Sequence, residues 1–598
     1  MAFILNFSSS QTTPATTQLL TALISAIVLW PLLRLIRRSQ RQRKPSIHDV
    51  PGPKPESWLT GNLLQMFDPR KGWEFHGMML EKFGAVASYH TFFGSKRLYI
   101  SDPKSLHHIL IKDQVTGSPG LHTGTYDESR SFIEFNKLVF GQGLLSTVGE
   151  HHRKQRKVLN PMFSVGRMRE LVPIFYQVAH QLETTLTAKV QSKGPQEIDM
   201  LSWLSRAALE FIGRSGLGYS FDPLTNDMSE HEYTRNLKEL VHLSTPLMPV
   251  RLYVLPWAVK IGSPGFRRAV CKYFPWKRVR RIQELVDYMW NVSEKIYRSK
   301  KDSQATDEED SEEMGSGKSD ILNVLIRENE RTSEGEDRLN EEEILGQLST
   351  LIFAAHETTS NAMTRMISLL SLHPEVQNKL REEVTEAYVR SGGDIGYDEL
   401  EGLPYLDAVC RETLRLFPPV PLLFRTAQKD AILPFSKPIP RANHKDSTNP
   451  NPINEIFIPK GTSITISILN CNRDPAIWGE DAFEWKPERW LGASGANSLP
   501  KSVLEAKIPG VYSPLMTFNA GGRACIGFKF SQLEMKVVMS ILVRSFKFSP
   551  APGKKIVWQM STVAIPLVKS EGQDGDGDSD GSDTGLPQLP VVVEFVKG

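Results

Sequence analysis

Cysteine is scarce in this chain: 598 residues hold only Cys271, Cys410, Cys471 and Cys525, and no two of them stand at C-x-x-C spacing. That excludes a disulfide scaffold and a cysteine-built zinc site, and it fits a reducing, cytosol-facing compartment. Net charge is scarce too. Lys and Arg number 71 against 68 Asp and Glu, a formal +3, and no basic block with interleaved aromatics marks a nucleic-acid groove. No repeat of fixed period is present, which removes solenoids and propellers. The Asp-Gly run at 571–585 has no complete twelve-residue loop with a closing Glu, so it reads as a solvated loop and not a calcium site. What remains is ordinary globular composition, 40% hydrophobic and 23% charged, ample for a large core. Length alone suggests two to four domains, although a single large catalytic domain also fits.

One long apolar run stands out. From Leu19 to Leu33 the sequence is almost wholly apolar, and with Thr16, Thr17 and a snorkelling Arg34 it nears the ~20 residues that span a bilayer. Basic residues follow the run (Arg34, Arg37, Arg38, Arg41, Arg43, Lys44) instead of preceding it, which distinguishes an anchor from a cleaved signal peptide. The expectation is a lumenal N-terminus over 1–15, a transmembrane helix over 16–36, a basic flank and proline hinge over 37–55, and a cytosolic catalytic domain over 56–598. Asn6-Phe7-Ser8 is then a lumenal glycosylation acceptor, while Asn291-Val292-Ser293 stays bare on the cytosolic side. The hinge Pro51-Gly52-Pro53-Lys54-Pro55 reads as a semi-rigid spacer setting the domain off from the membrane. Acidic stretches at 301–320 and 571–585 read as loop insertions, and Phe435 to Ile453 as a long connection between two β-like pieces.

The strongest chemical signal is Phe518-Asn519-Ala520-Gly521-Gly522-Arg523-Ala524-Cys525-Ile526-Gly527, which matches F-x-x-G-x-R-x-C-x-G at every fixed position. Paired glycines let backbone amides approach the sulfur and tune a thiolate, and Gly527 permits tight packing as a helix begins. An ordinary buried cysteine in a glycine-rich turn does not account for the full spacing.

This segment resembles the cysteine loop of the cytochrome P450 family, in which the thiolate ligates haem iron, and other segments in the expected order resemble the same family. Glu412-Thr413-Leu414-Arg415 matches E-x-x-R, followed by Phe417-Pro418-Pro419-Val420 and by Pro487-Glu488-Arg489-Trp490. The resemblance implies that Glu412, Arg415 and Arg489 form a structural charge cluster under the haem. Ile344 to Ile367 reads as a long core-crossing helix with Leu351, Ala355, Thr358 and Ala362 on one face. Within it, Ala354-Ala355-His356-Glu357-Thr358-Thr359 resembles the oxygen-activation segment, with Glu357 and Thr358 as the acid-alcohol pair. The competing reading of Thr358 is a hydroxyl bonded back to its own helix. His151 to Arg156 sits where the family has W-x-x-x-R, so His152 replaces the tryptophan, and His152, Arg156, Arg425 and Arg523 become propionate contacts. Phe518, Gly521, Arg523 and Gly527 complete the cofactor loop around Cys525.

The resemblance implies a mainly α fold with a small β-rich lobe plus one N-terminal transmembrane helix. It further implies haem b, and electrons from NADPH through a separate flavoprotein reductase; Arg153, Lys154 and Lys157 read as plain surface residues, although such a basic face also suits docking of an acidic electron donor. Cytochrome b5 is an additional donor by the same implication. The hinge and insertions look like those of microsomal enzymes of filamentous and wood-rotting fungi, at the endoplasmic reticulum membrane. The expected activity is monooxygenation of a lipophilic terpenoid, aromatic compound or xenobiotic. An oxygen-independent haem-thiolate isomerase, lyase or dehydratase, or a non-catalytic haem protein, is the alternative. Expected pocket residues are Ser118 to Leu145, Leu240 to Phe274, Phe353, Leu422, Leu423 and the Ser561-Thr562 turn.

Overall fold

In chain order the principal helices are α1 (Gly72–Phe83), α2 (Arg130–Phe140), α3 (Gly149–Leu159), α4 (Val165–Lys193), α5 (Met200–Phe211), α6 (Glu232–Ser244), α7 (Lys277–Asp307), α8 (Glu341–Leu372), α9 (Pro374–Ser391), α10 (Pro404–Leu416) and α11 (Phe528–Ser545). They come from a computed structural model that describes residues 45–112, 124–225, 231–273, 275–307, 320–331, 338–442, 452–492, 499–569 and 587–596. Asn6, the apolar 16–36 segment and the acidic 571–585 stretch lie outside these residues. Among the described residues no helix is long and apolar enough to cross a membrane.

The 32-residue α8 organises the core. Its start is fixed by Asn340, whose side chain caps the Glu343 amide while Glu343 reaches back to the Asn340 amide, and Glu341, Glu342 and Glu343 suit the positive end of the helix dipole. Its end is set by Pro374, which opens α9. Leu348, Ile352, Met363, Met366 and Ile367 are buried on several sides of it, packed against α5, α7, α10 and α11. Leu351, Phe353, Ala354, Ala355 and Thr358 are only half-buried. On a helix otherwise enclosed by protein, that stripe faces an internal space.

The strands are β1 (Val86–His90), β2 (Lys96–Ile100), β3 (Tyr126–Glu128), β4 (Gln196–Asp199), β5 (Leu422–Ala427), β6 (Ala431–Ile439), β7 (Ile453–Ile458), β8 (Ser463–Ser467), β9 (Phe546–Pro550), β10 (Lys555–Gln559), β11 (Ile565–Lys569) and β12 (Pro590–Phe595). The largest sheet runs β1-β2-β8-β5-β3, with β2 and β8 parallel and the other pairs antiparallel. Its strand β5 pairs Arg425 with Glu128 of β3. This is the mainly α architecture with a small β-rich lobe.

Three sequence expectations change. The proline hinge is no free spacer: Pro51 accepts from the Ser88 amide at 2.7 Å, Val50 is fully buried, and a Cβ on Gly52 would stand 1.8 Å from the Ser88 carbonyl oxygen. Only glycine lets the hinge dock on the β1 edge. The first acidic stretch starts inside α7, which stays helical through Asp307. Phe435–Ile439 belongs to β6, paired with β7, because alternating Leu433 and Phe435 are buried, so only part of that segment is a connection.

Candidate active site

Cys525 sits in the turn that feeds α11. Asn519 and Gly521 take left-handed φ of 59° and 65°, the Asn519 side chain donates to the Arg523 carbonyl at 2.9 Å, and the Cys525 amide closes on the Phe518 carbonyl at 2.8 Å. The loop therefore needs Gly or Asn at its bends. Gly527 does something other than expected. A Cβ there would meet only Phe163 at 3.8 Å, ordinary contact, so close packing does not require glycine. Its amide instead donates toward the Cys525 sulfur. Burial pushes the Cys525 thiol up, and the Gly527 amide and the Arg156 guanidinium pull it back down. Although burial acts on it this strongly, the Cys525 side chain is accessible. Cys410 and Cys471 are buried without such access, and burial pushes Cys410 up to about 12.

Above the loop a cationic cluster converges. Arg425 is 1% exposed and donates to Glu128 Oε2 at 2.7 Å and to the Phe424 carbonyl, while its Nε and Nη2 are buried without a hydrogen-bond partner. Arg523 donates to the Thr147 carbonyl at 2.7 Å and reaches Asp127 at 3.4 Å. His152, on α3, is buried, and its pKa is pushed down to about 3 by burial first and then by Arg523, Arg156 and Arg425. These four sequence-derived residues thus share one place. Arg156 differs from the other two arginines in that it donates to the Ala524 carbonyl, one residue from the sulfur, so it steadies the proximal loop.

The donor set fits a haem. A soft sulfur lies on one side, unpartnered donors of Arg425 await acceptors, and a positive cluster suits two carboxylates. The acids Asp127 and Glu128, which the sequence reading missed, prevent that cluster from being wholly cationic. Burial raises Glu128, and Arg425 and Arg523 oppose the rise.

Beneath the site the charge cluster is complete. Arg415 forks onto Glu412 with two 2.8 Å bonds and also donates to the carbonyls of Asn472, Ala482 and Glu484. Arg489 reaches Glu412 at 3.2 Å and Asp481 at 2.7 Å, and Trp490 Nε1 donates to Glu412 at 2.9 Å. Glu412 and Arg415 are fully buried. The network extends to the cysteine loop through Asn472, whose side chain accepts from the Met516 amide and donates to Thr517. Asn472 and Asp481 carry no local motif that would have flagged them.

On α8, Thr358 donates its hydroxyl to the Ala354 carbonyl at 2.7 Å, the back-bonded arrangement, which leaves its oxygen lone pairs to accept. Glu357 is 4% exposed. His356 Nδ1 lies 3.1 Å from Glu357 Oε1 but out of line, so both imidazole nitrogens and Oε1 lack hydrogen-bond partners among the described residues. Phe353 packs on Phe140 with ring centroids 4.6 Å apart, and Thr245 bonds Ser561 at 2.7 Å, so four of the expected pocket positions meet in two pairs. Residues 118–123 of the first expected segment lie outside the described residues.

A glycine-bent cysteine loop, a cation cluster above it and an acid-alcohol pair on a core helix define a haem-thiolate enzyme. The sequence matches the Cytochrome P450 family over residues 51–441 and 432–573. It is 44% identical to Cytochrome P450 monooxygenase 91 of Postia placenta over 95% of this chain and 97% of that protein. It is equally 44% identical to Cytochrome P450 monooxygenase 81 of the same fungus over 97% of this chain and 98% of that protein. It is 39% identical to Ganoderic acid synthetase CYP5150L8 of Ganoderma lucidum over 92% of this chain and 95% of that protein. The chain belongs to the cytochrome P450 family, and it is an enzyme of the monooxygenase type.

Proposed function

We propose that the enzyme inserts one oxygen atom from O2 into a lipophilic small molecule, by hydroxylation or epoxidation, with electrons from NADPH delivered through a separate flavoprotein reductase. The observation that carries this reading is the Cys525 loop together with the Glu357-Thr358 pair on the half-buried stripe of α8. When bound to Cys525 thiolate, haem iron supplies dioxygen activation and the electron push that favours O–O cleavage. The reaction consumes two protons for each oxygen inserted, the second oxygen leaving as water, and this chain's residues hold and move those protons. Glu357 borders a cavity of about 20 Å3 shared with Asn361, Ser205, Lys238 and His242. Asn361 Oδ1 and Glu357 Oε1, both unpartnered, are the kind of groups a buried water satisfies in a space of that size. Glu357 so placed can draw protons from the α6 side and pass them toward Thr358. An oxygen-independent isomerase has no use for such a supply.

Fungal secondary metabolism, with a terpenoid or aromatic substrate, or xenobiotic oxidation, is the proposed setting; a relative named for ganoderic acid synthesis supports a biosynthetic role. The proposed location is the endoplasmic reticulum membrane, with one N-terminal span and a cytosolic catalytic domain. Exposed Trp58, Leu59, Phe93, Val254, Trp257 and Ile261 support contact with lipid. Exposed Arg153 and Lys157 on α3, next to the cysteine loop, support docking of an acidic reductase, with cytochrome b5 as a further donor.

The test is the reduced carbon monoxide spectrum with NADPH-dependent turnover. The unaltered enzyme shows the strongly red-shifted Soret band of thiolate ligation, and Cys525→Ser loses both band and turnover, while Cys410→Ala and Cys471→Ala keep the band. Retention of band and activity in Cys525→Ser removes the assignment.

A further inference from the structure

In the C-terminal half of α8, Arg365 lines a cavity of about 10 Å3 together with Trp73, Asn361, Phe417, Trp558 and Ala564. Every residue of that lining is buried or half-buried, and Met363, Thr364, Met366 and Ile367 beside it on the helix are fully buried. The cavity therefore sits within the fold, where α8 meets α1, the turn after α10 and the β10-β11 hairpin. The guanidinium stands 3.3 Å from the Trp558 ring centroid and 4.2 Å from that of Phe417. Aromatic faces offset part of the cost of burying a cation, but they give its N–H donors no oxygen to meet. No ion pair and no side-chain hydrogen bond of Arg365 is formed among the described residues. The one charged group that acts on it is a second cation, Arg473, which lies 5.2 Å from the same Phe417 ring and directs its donors to the Leu416 carbonyl. Two guanidinium groups thus share one aromatic ring with no acid between them.

Uncompensated positive charge inside a protein is costly. A water molecule in the cavity would satisfy donors and leave that charge unanswered, whereas an anion answers both. We propose that the cavity is a halide site, in which one chloride ion accepts from the Arg365 guanidinium. The space takes a guest about the size of one water molecule, which excludes phosphate, sulfate and organic carboxylates and leaves a monatomic anion. Its wall also carries the bond from Trp73 Nε1 to the Trp558 carbonyl at 2.8 Å. Chloride there steadies the junction of α1, β10 and α8, and it takes no part in the proposed reaction.

The test is thermal unfolding of the haem-loaded full chain in sodium chloride against sodium gluconate at equal ionic strength, which holds charge screening constant. An ion bound by the native state alone raises the midpoint in chloride by about 1 to 3 °C, and the rise saturates with concentration. Two variants place the effect at the cavity. Arg365→Gln removes the cation, and Asn361→Asp sets a carboxylate one helical turn from Arg365 at nearly unchanged volume, a built-in counter-charge that displaces the halide. Each loses the difference between chloride and gluconate whatever its own baseline stability, and Asn361→Asp decides the matter should Arg365→Gln fail to fold. Bromide soaked into crystals of the unaltered chain gives an anomalous scattering peak in the cavity, and Asn361→Asp abolishes it. Equal midpoints in the two salts, a chloride rise that does not saturate, a difference retained by either variant, or a cavity that holds only water overturns the inference.

Discussion

At the scale of single residues, the role proposed for Thr358 asks one hydroxyl to serve both helix and chemistry. Its hydrogen is held by the Ala354 carbonyl at 2.7 Å, so it enters proton transfer as an acceptor and releases the helical bond to pass a proton onward. Thr358→Ala removes that group without disturbing Cys525 or the arginine cluster. Substrate binding and the carbon monoxide band stay native, while the rate of product formation falls by about 10^2 or more, as for loss of a positioned acid or base, and peroxide rises in its place. Full coupling in the variant would move the acid-alcohol role elsewhere. Glu534 is a second residue with a measurable consequence. It is fully exposed to neither water nor partner: its accessibility is 0% and both carboxyl oxygens are unpaired among the described residues, and burial holds its pKa well above the usual carboxylate range. Native protein therefore keeps a proton that the unfolded chain releases above about pH 4.3. Stability from this site is fully present below that pH and is lost as pH rises through the native pKa. Glu534→Gln is expected to flatten the fall and to raise stability at alkaline pH by about 1 to 3 kcal/mol, read from denaturant midpoints at acidic and alkaline pH.

At the scale of elements, what was legible was what is local. The Glu412-Arg415 pair is one helical turn apart on α10, and Cys525 with its glycines is one turn of chain, so sequence spacing read together with the family resemblance placed them. The long helix was legible from its apolar period, and the structure extends it only by a capping box at one end and a proline-set stop at the other. Partners contributed from far along the chain were not legible. Asn472 and Trp490 reach the Glu412-Arg415 pair across 57 and 78 residues, and Asp481 meets Arg489 from 8 residues away, only after the chain beyond β8 folds under α10. The hinge misled because Pro-Gly-Pro reports backbone restriction and says nothing of the β1 edge it docks on. The cluster invites a direct measurement. Glu412→Ala leaves Arg415 and Arg489 buried with one carboxylate fewer, and breaking such a network costs about 3 to 5 kcal/mol. Because Asn472 ties the same network to Met516 and Thr517, the loss is expected to appear as failure to retain haem as well as a lower unfolding midpoint. A variant with normal haem content and stability would show the cluster to be dispensable.

At the scale of the whole molecule, the proposed membrane location turns on which face would meet lipid. Asn291 is a weak reporter of topology: Ser293 of its sequon is fully buried and bonded to the Met289 carbonyl and Ser349, so folding alone keeps it bare, whichever compartment it occupies. The surface is more informative. Trp58 meets Phe93 edge-on at 5.8 Å, the Phe93 amide bonds the Leu59 carbonyl, and Phe92 packs on Tyr253 at 4.5 Å, which joins the turn after the hinge to the segment carrying Val254, Trp257, Ile261 and Phe266. Trp58 is 77% and Trp257 68% exposed, and a continuous apolar face of this kind marks an interaction surface. Lys260, Arg268 and Lys272 lie among these side chains in sequence and suit anionic headgroups. Burying a side chain of this size contributes about 1.5 to 3 kcal/mol, so on the proposed membrane location several together would hold the domain against a bilayer in addition to the proposed anchor. The full chain reconstituted in vesicles whose acyl chains carry bromine is expected to lose tryptophan fluorescence, and the quenched fraction is expected to fall when Trp58 and Trp257 are both changed to Phe. Quenching that is unchanged in the double variant would turn this face away from the membrane and leave attachment to the N-terminal segment alone.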